Sequence, residues 1–455
     1  NGDGDSTDGG AESSAGYGVY DIIISVFNSA GVWQWAKRLG GTGSDLGYEV
    51  AIDSTNNIIV TGRVTGDADV NGDGDTTDSG AESSTGYGST DILISVFNSS
   101  GVWQWAKRLG GVGADVGSDV TIDSANNIIV TGQVTGDADV NGDGDSTDGG
   151  AESSTGYGGT DAVISVFNSY GVWQWAKRLG GTGADTGWSV NIDSANNIIV
   201  TGYVTGDADV NGDGDNTDGG TESSVGYGGV DIFISIFNSS GAWQWAKRLG
   251  GTGNDISYSI SVDSANNIIV TGYVTGDADV NGDGDSTDGG AESAAGYGSA
   301  DILISVFNSS GAWQWAKRLG GTGFDIGASI GIDSADNIIL VAGQITGVGD
   351  VNGDGDTTDS GAESTSATYG GIDTLISVFR SNSPCTKSSG TVTCGSAAIP
   401  DDMENSVDDQ WWQYQLAMTG NGSSPTLTSA AVKYGPPVVS VPAGSPPPDA
   451  PPTIG

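Results

Sequence analysis

GGTGADTGWSVNIDSANNIIVTGYVTG, residues 180–206, decides the reading of this chain, together with the stretch that leads into it, TDAVISVFNSYGVWQWAKRLGG, residues 160–181. Glycine-rich connectors and Asn-containing turns cut the two into four short runs rich in apolar and β-branched residues, none with a helical period. The first copy shows the same four. DIIISVFN (21–28) is nearly continuous in apolar residues and predicts a strand buried on both faces. VWQWAKRL (32–39) predicts a strand with Trp33 and Trp35 on one face, Gln34 and Ala36 on the other. GYEVAIDSTNN (47–57) predicts a strand ending in a turn at Asn56-Asn57, and IIVTGRVTG (58–66) a fourth strand.

This order cycles every 70 residues, and an internal repeat overrides the two or three domains that 455 residues would otherwise suggest. The 79 glycines suit tight turns and close backbone approach rather than helices. Four short strands per unit predict an all-β fold, a β-propeller of four-stranded blades, with residues 67–88 inserted between the second and third strands of a unit. A parallel β-helix is the competing repeat fold and fits a four-strand unit less well. Residues 42–109, 112–179, 182–249 and 252–319 frame complete blades. A fifth runs from Thr322 through DTLISVFR (373–380), with WWQYQLAM (411–418) in the place of VWQWAKRL. TLTSAAVKY (426–434) and VVSVP (438–442) would open a sixth, which strands 21–28 and 32–39 complete. The expected ring thus has about six blades, five complete and one built from both chain ends, over residues 1–442. A stiff Pro-rich tail, 443–455, follows. The same strands 426–442 could instead complete the open blade of a neighbouring copy, head to tail.

These stretches resemble the SBBP, or bacterial β-propeller, repeat, which runs roughly GGxGxDxGxxIAVDxxGNxYVTG and then DxFVAKxxxxGxxxWxxxxGG. The likeness covers residues 20–379 apart from the inserted acidic loop. It implies a propeller, mostly of extracellular or cell-surface proteins, and it brings no catalytic residues.

The insertion carries its own signal. In DADVNGDGDSTD (137–148), Asp137, Asp139, Asn141, Asp145 and Asp148 stand at positions 1, 3, 5, 9 and 12 of a twelve-residue loop. Gly142 stands at the sharp turn, and Asp143 at position 7 can offer its carbonyl. A second register, Asp139-Val-Asn141-Gly-Asp143-Gly144, overlaps the first, so one or two ions per loop remain open. The pattern recurs as Asp67, Asp69, Asn71, Asp73, Asp75 and Asp78, as Asp207, Asp209, Asn211, Asp213, Asp215 and Asp218, and as Asp277, Asp279, Asn281, Asp283, Asp285 and Asp288. A fifth copy, starting at Val348, keeps Asp350, Asn352, Asp354, Asp356 and Asp359; a sixth keeps Asn1, Asp3, Asp5 and Asp8. Closely spaced carboxylates in fixed order predict Ca2+, about one per repeat or two. The flanks are not helical, so the loop resembles dockerin and thrombospondin type 3 loops in Asp spacing alone.

The loops hold nearly half of the 58 acidic residues of a chain whose net charge is −44. Nucleic acid is excluded as a partner, since phosphate binding needs clustered Lys and Arg. Without calcium the protein should repel itself and loosen. There is no histidine, which removes the commonest general base and most catalytic zinc sites, and no acidic pair stands apart from the repeat. The expectation is a non-enzyme. Cys385 and Cys394 predict a small disulfide-closed hairpin within an insertion spanning 381–410, and hence an oxidising compartment. No apolar run is long enough to span a membrane. The chain begins inside a repeat without Met, and an upstream segment is expected.

Smaller constellations have structural readings. The Lys-Arg pairs 37–38, 107–108, 177–178, 247–248 and 317–318 should meet Asp45, Asp115, Asp185, Asp255 and Asp325, or the acidic loop of the next blade. The Trp-x-Trp pairs should pack between blades, with a carbohydrate platform as the alternative. Tyr17, Tyr87, Tyr157, Tyr227, Tyr297 and Tyr369 are the second choice for a ligand rim. Glu12, Glu82, Glu152, Glu222, Glu292 and Glu363 are either late calcium ligands or surface charges; Asn98, Asn238, Asn308 and Asn421 begin glycosylation triplets. Together these features predict a secreted structural protein. It would be a calcium-stiffened propeller at the cell surface or in the extracellular space, assembling with itself, plausibly as a filament. The alternative is a lectin-like or adhesive propeller that recognises a glycan or protein.

Overall fold

Four of the repeat units each fold into an antiparallel meander of four strands. The computed structural model describes residues 16–76, 86–146, 157–215, 226–286, 296–333, 339–353, 355 and 373–379, and the backbones of five short strands beyond them. In the first blade Leu46–Ile52, Ile58–Val64, Asp91–Phe97 and Trp103–Leu109 pair in sequence order. Three further sheets repeat this order over residues 116–179, 186–249 and 256–319. The fifth sheet has three strands among the described residues, Ile326–Ile332, Ile339–Ile345 and Asp373–Phe379. Ile22–Phe27 and Trp33–Leu39 form a two-stranded half-blade ahead of the first. The fold is an all-β propeller, as the four-run repeat implies.

The third strands are buried along their whole length in three complete blades and from Asp231 on in the other, the consequence of their continuous apolar sequence. The core lies between blades. Ile92, Ile94 and Leu109 of the first blade meet Val130, Val134 and Phe167 of the second in one fully buried cluster, and each later seam repeats it. The first strands of successive blades stand side by side around a central axis. Asp119 accepts hydrogen bonds from Ser189 Oγ and Val190 N of the next blade, both at 2.9 Å. The Asn-Asn turn needs a left-handed residue, and Asn56, Asn126, Asn196 and Asn266 supply it at φ 61–64°. Ser54 N then donates to Asn126 Oδ1 at 3.0 Å, joining the turns of neighbouring blades.

Two features depart from the sequence reading. A β-bulge at Gln104, repeated in every outer strand, shifts the alternation of VWQWAKRL. Trp33 and Trp35 therefore do not share a face. Trp33, Trp103, Trp173, Trp243 and Trp313 are 40–45% exposed, whereas Trp35, Trp105, Trp175, Trp245 and Trp315 lie against a phenylalanine of the next blade. The second departure is at the chain end, where among the described residues Leu416–Thr419 pairs with Thr426–Ala430 and the sheet of Asp373–Phe379 ends at that strand. Residues 411–415, 431–434 and 438–442 lie outside the described residues. Thr386–Ser388 and Thr391–Cys394 do form a hairpin; Cys385, the other half of the expected disulfide, lies outside the described residues.

Among the described residues both ends of the arc of blades present exposed apolar side chains. Ile23, Val50 and Ile52 are 62%, 53% and 65% exposed at the first end, and Ile376 is 47% exposed at the other. Their counterparts inside the arc, such as Leu93 and Ile164, are buried or nearly so.

Candidate metal loops

The acidic loop leaves the second strand and folds over the outer strand of the preceding blade. In the second blade Asp139 exchanges backbone hydrogen bonds with Gly110, both 2.9 Å, which plants its carboxylate at zero exposure. Val140 beside it is fully buried, and its carbonyl accepts from Ser165 Oγ at 2.6 Å. Lys107 Nζ of the preceding blade donates to Gly142 O at 2.8 Å. Tyr87 of the preceding blade donates its hydroxyl to Asp139 Oδ2. The other blades repeat this set, down to Tyr297 and Asp350 at 2.6 Å.

The turn then winds about Asp139. The N–H groups of Asn141 and Gly144 donate to its carboxylate at 3.1 and 2.9 Å, with Gly142 N between them. Gly142 and Gly144 have φ of 68° and 105°, left-handed values that only glycine holds without strain. Asn141 Nδ2 lies 3.3 Å from Asp143 Oδ2, and Asp145 N donates to Asp143 Oδ1 at 3.1 Å. These contacts fall within Asp139-Val-Asn141-Gly-Asp143-Gly144; Asp148, which closes the longer register, lies outside the described residues. Burial holds the Asp69, Asp139, Asp209 and Asp279 carboxyls above their ordinary range. Burial and the neighbouring carboxylate push the Tyr17, Tyr87, Tyr157 and Tyr227 hydroxyls up, so each remains the donor.

The structure separates the predicted ligands into three groups. Asp69, Asp139, Asp209, Asp279 and Asp350 are buried anchors. Asn71, Asn141, Asn211 and Asn281 are at least partly buried, while Asn352 is exposed like Asp73, Asp75, Asp143, Asp145, Asp213, Asp215, Asp283 and Asp285 on the outer side of the loop. Asp67, Asp137, Asp207 and Asp277 are exposed ahead of the turn. Asp78, Asp148, Asp218, Asp288, Asp354, Asp356, Asp359, Asn1, Asp3, Asp5 and Asp8 lie outside the described residues, as do Tyr369, Asn421 and the six repeated glutamates. Among the described residues no three acidic side chains already converge as a metal cluster. The donors that the turn does gather are carboxylate, amide and carbonyl oxygens, the hard set that suits calcium or magnesium.

Other expectations are corrected by these contacts. The hydroxyls of Tyr17, Tyr87, Tyr157, Tyr227 and Tyr297 donate to the acidic loops. The arginines pair within their own blade: Arg248 meets Asp231 at 2.6 Å and Arg318 meets Asp301 at 2.5 Å, buried on both sides. The lysines reach the next blade's loop, as Lys107 does at Gly142 O. Asp115 and Asp185 hold backbone N–H groups instead, Gly111 and Thr135 for Asp115 at 2.7 Å each. Burial raises both carboxyls to about 7. Asn98, Asn238 and Asn308 cap the turn between the third and outer strands through Oδ1.

Comparison with known proteins follows the fold. A 264-residue stretch, 52% of this chain, is 27% identical to an uncharacterized WD repeat-containing protein, L264, of Acanthamoeba polyphaga mimivirus. It spans 18% of that protein's length. Two solved structures overlap it with 8% identity: a protein of unknown function from Bacteroides caccae (TM-score 0.34, 72% of this chain and 80% of the other) and the Dos1 propeller (TM-score 0.33, 70% and 69%). Residues 244–282, from the outer strand of one blade into the acidic loop of the next, match the β-propeller repeat family SBBP.

Proposed function

We propose that this protein is a secreted, non-enzymatic, calcium-binding β-propeller that serves as a structural subunit of a cell-surface or extracellular assembly. The observation that carries the reading is the position of the acidic loops. Five of them fold alike, and each bridges a seam, anchored in one blade and held by the tyrosine and lysine of the blade before. A cation held by Asn141, Asp143 and Asp145 and their counterparts would neutralise the exposed carboxylates of a chain carrying a net charge of −44. It would tighten every seam at once. The open apolar ends suit completion by a neighbouring copy, head to tail, which is a route to a filament.

The test is thermal unfolding and electron microscopy of the purified chain, in millimolar calcium and in excess chelator. For loops of extracellular-type affinity, each ion stabilises by about 0.4–1.4 kcal/mol at millimolar calcium, so five together contribute about 2–7 kcal/mol. The expected result is a clear rise in unfolding temperature with calcium, and fibres that disperse in chelator. Identical unfolding in both conditions refutes the calcium reading. Calcium-stabilised but separate discs refute the filament and leave the calcium reading standing.

A further inference from the structure

Each acidic loop carries an Asn-Gly pair: Asn71-Gly72, Asn141-Gly142, Asn211-Gly212, Asn281-Gly282 and Asn352-Gly353. Among the described residues no other asparagine precedes a glycine; the rest are followed by Ser, Asn, Ile or Asp. Asn-Gly is the dipeptide whose side-chain amide is most easily lost. Glycine has no Cβ to keep its nitrogen away from the asparagine Cγ, and its backbone visits the conformations that bring the two together. A safer residue does not fit here. Gly142 has a φ of 68°, and a Cβ on it would stand 2.7 Å from Lys107 Cδ. The seam therefore demands the glycine that exposes the asparagine to attack.

The fold withholds the nucleophile instead. Gly142 N donates to Asp139 Oδ1 at 2.5 Å and Gly144 N to Asp139 Oδ2 at 2.9 Å, so one carboxylate holds both glycine N–H groups. The other four loops repeat the clamp on Asp69, Asp209, Asp279 and Asp350, with the first contact at 2.5 Å and the second at 2.9–3.0 Å. The clamp has little room to shift, because Asp139 is fully buried, paired through its backbone with Gly110 and bonded by the Tyr87 hydroxyl. Ring closure needs the glycine nitrogen deprotonated and turned toward the asparagine Cγ. A carboxylate against that N–H opposes both. It repels the negative charge that deprotonation would leave on nitrogen, and its charge-assisted bond must break before the peptide can turn. The carboxylate is itself far too weak a base to take an amide proton. The asparagine side chain is also held, with Nδ2 of Asn71, Asn141, Asn211 and Asn281 at 3.2–3.3 Å from the carboxylate of Asp73, Asp143, Asp213 and Asp283.

We propose that the Asn-Gly pair of each acidic loop is a latent site of deamidation, which the buried aspartate of the same loop keeps shut while the loop is folded. When the clamp opens, Gly142 N attacks Asn141 Cγ. The N–Cγ bond forms, the Cγ–Nδ2 bond breaks, and ammonia leaves with the proton that the glycine nitrogen gives up. Water then opens the five-membered imide at either carbonyl, leaving aspartate or isoaspartate. No oxidant, enzyme or metal takes part. Each event adds a negative charge to a chain already at −44. The isoaspartyl product also lengthens the main chain by one carbon between Asn141 and Gly142, which pulls the following turn out of register with the lysine and tyrosine of the preceding blade. A loop that has once opened for long is thus marked irreversibly, seam by seam.

The experiment incubates the full chain at mildly alkaline pH in millimolar calcium and follows each Asn-Gly site by peptide mapping and mass spectrometry. The same chain unfolded in urea gives the unprotected rate. Asp139→Ala opens one clamp and leaves four untouched as internal controls; Asp145→Asn alters the outer side of the same loop and leaves the clamp in place. A hydrogen bond to a charged group predicts native sites about 10–100-fold slower than unfolded ones. Asp139→Ala should speed Asn141 about tenfold or more, with Asn71, Asn211, Asn281 and Asn352 still slow, and Asp145→Asn should leave Asn141 slow. Hydrogen exchange of the unmutated chain checks the clamp without a variant: the N–H groups of Gly142 and Gly144 should exchange at least about tenfold slower than in urea. Four outcomes overturn the proposal. The native sites deamidate as fast as the unfolded ones; Asn141 in Asp139→Ala stays as slow as its four counterparts; Asp145→Asn speeds Asn141 as much as Asp139→Ala, which places the protection in a bound cation; or the two glycine N–H groups exchange as freely folded as unfolded.

Discussion

Trp173 and Trp175 belong to one strand and one motif, yet the structure gives them opposite energetic roles. Trp175 lies 6.2 Å from Phe237 of the next blade, ring centroid to ring centroid, and its Nε1 donates to Ser239 O at 3.0 Å. Trp173 is 41% exposed. Trp175→Ala removes an aromatic contact worth about 0.5–1.5 kcal/mol, a hydrogen bond worth about 1 kcal/mol, and the apolar burial that accompanies them. Full burial of a tryptophan costs about 3–5 kcal/mol on truncation, and the partial exposure of Trp175 places it near the lower bound, about 3 kcal/mol. Trp175→Phe keeps most of the ring contact and loses the donor, for about 1–2 kcal/mol. Trp173→Ala should stay within about 1 kcal/mol. The assay is equilibrium urea unfolding of the native chain and the three variants at one fixed calcium concentration. The order of cost should be Trp175→Ala, then Trp175→Phe, then Trp173→Ala. Equal costs at 173 and 175 would refute the bulge that separates their environments.

Two further outcomes follow from buried charge. Arg248→Met leaves the carboxyl of Asp231 buried without its counter-charge and should cost about 3–5 kcal/mol; Arg38→Met, in a half-blade where the pair is 3.6 Å apart and 19% and 9% exposed, should cost about 0–1 kcal/mol by the same urea assay. Asp115, with a folded pKa raised to about 7 by burial, binds its proton more tightly when folded than unfolded. Its contribution to stability is therefore full below about pH 4 and lost as pH rises through 7. At about 1.4 kcal/mol per pKa unit the loss is up to about 4 kcal/mol, so native stability minus that of Asp115→Asn should fall across pH 4–7.5; a pH-independent difference rejects it.

The strands, their order and the insertion point of the acidic loop were legible in the sequence, because each strand is a short apolar run closed by a Gly or Asn turn. The Asn-Asn turn was legible for a further reason: a left-handed residue there has few alternatives. The anchoring of the acidic loop was not: the backbone pairing of Asp139 with Gly110 in the preceding unit is a contact beyond local reading. The arginine partners were misassigned because Asp115 is nearer in sequence, whereas strand pairing carries Arg108 to Asp91. The tyrosines sit in what reads as an open Gly-Tyr-Gly turn, yet their hydroxyls cross the seam to the next loop. The bulge in each first strand, at Tyr48 and its counterparts, leaves no mark in composition.

The seams carry one more implication. Each of the four complete blades bears half of two joints: a loop that docks backwards, and an outer strand, tyrosine and lysine that receive the loop of the unit after it. A length of chain bearing one complete copy of both halves can be duplicated or deleted without leaving an unmatched surface inside the array. Such a gene can lengthen or shorten by unequal exchange in whole steps, each product folding by the same local rules. The number of blades is then limited by the angle between neighbours and by whatever meets the two open ends, not by the sequence of any one repeat.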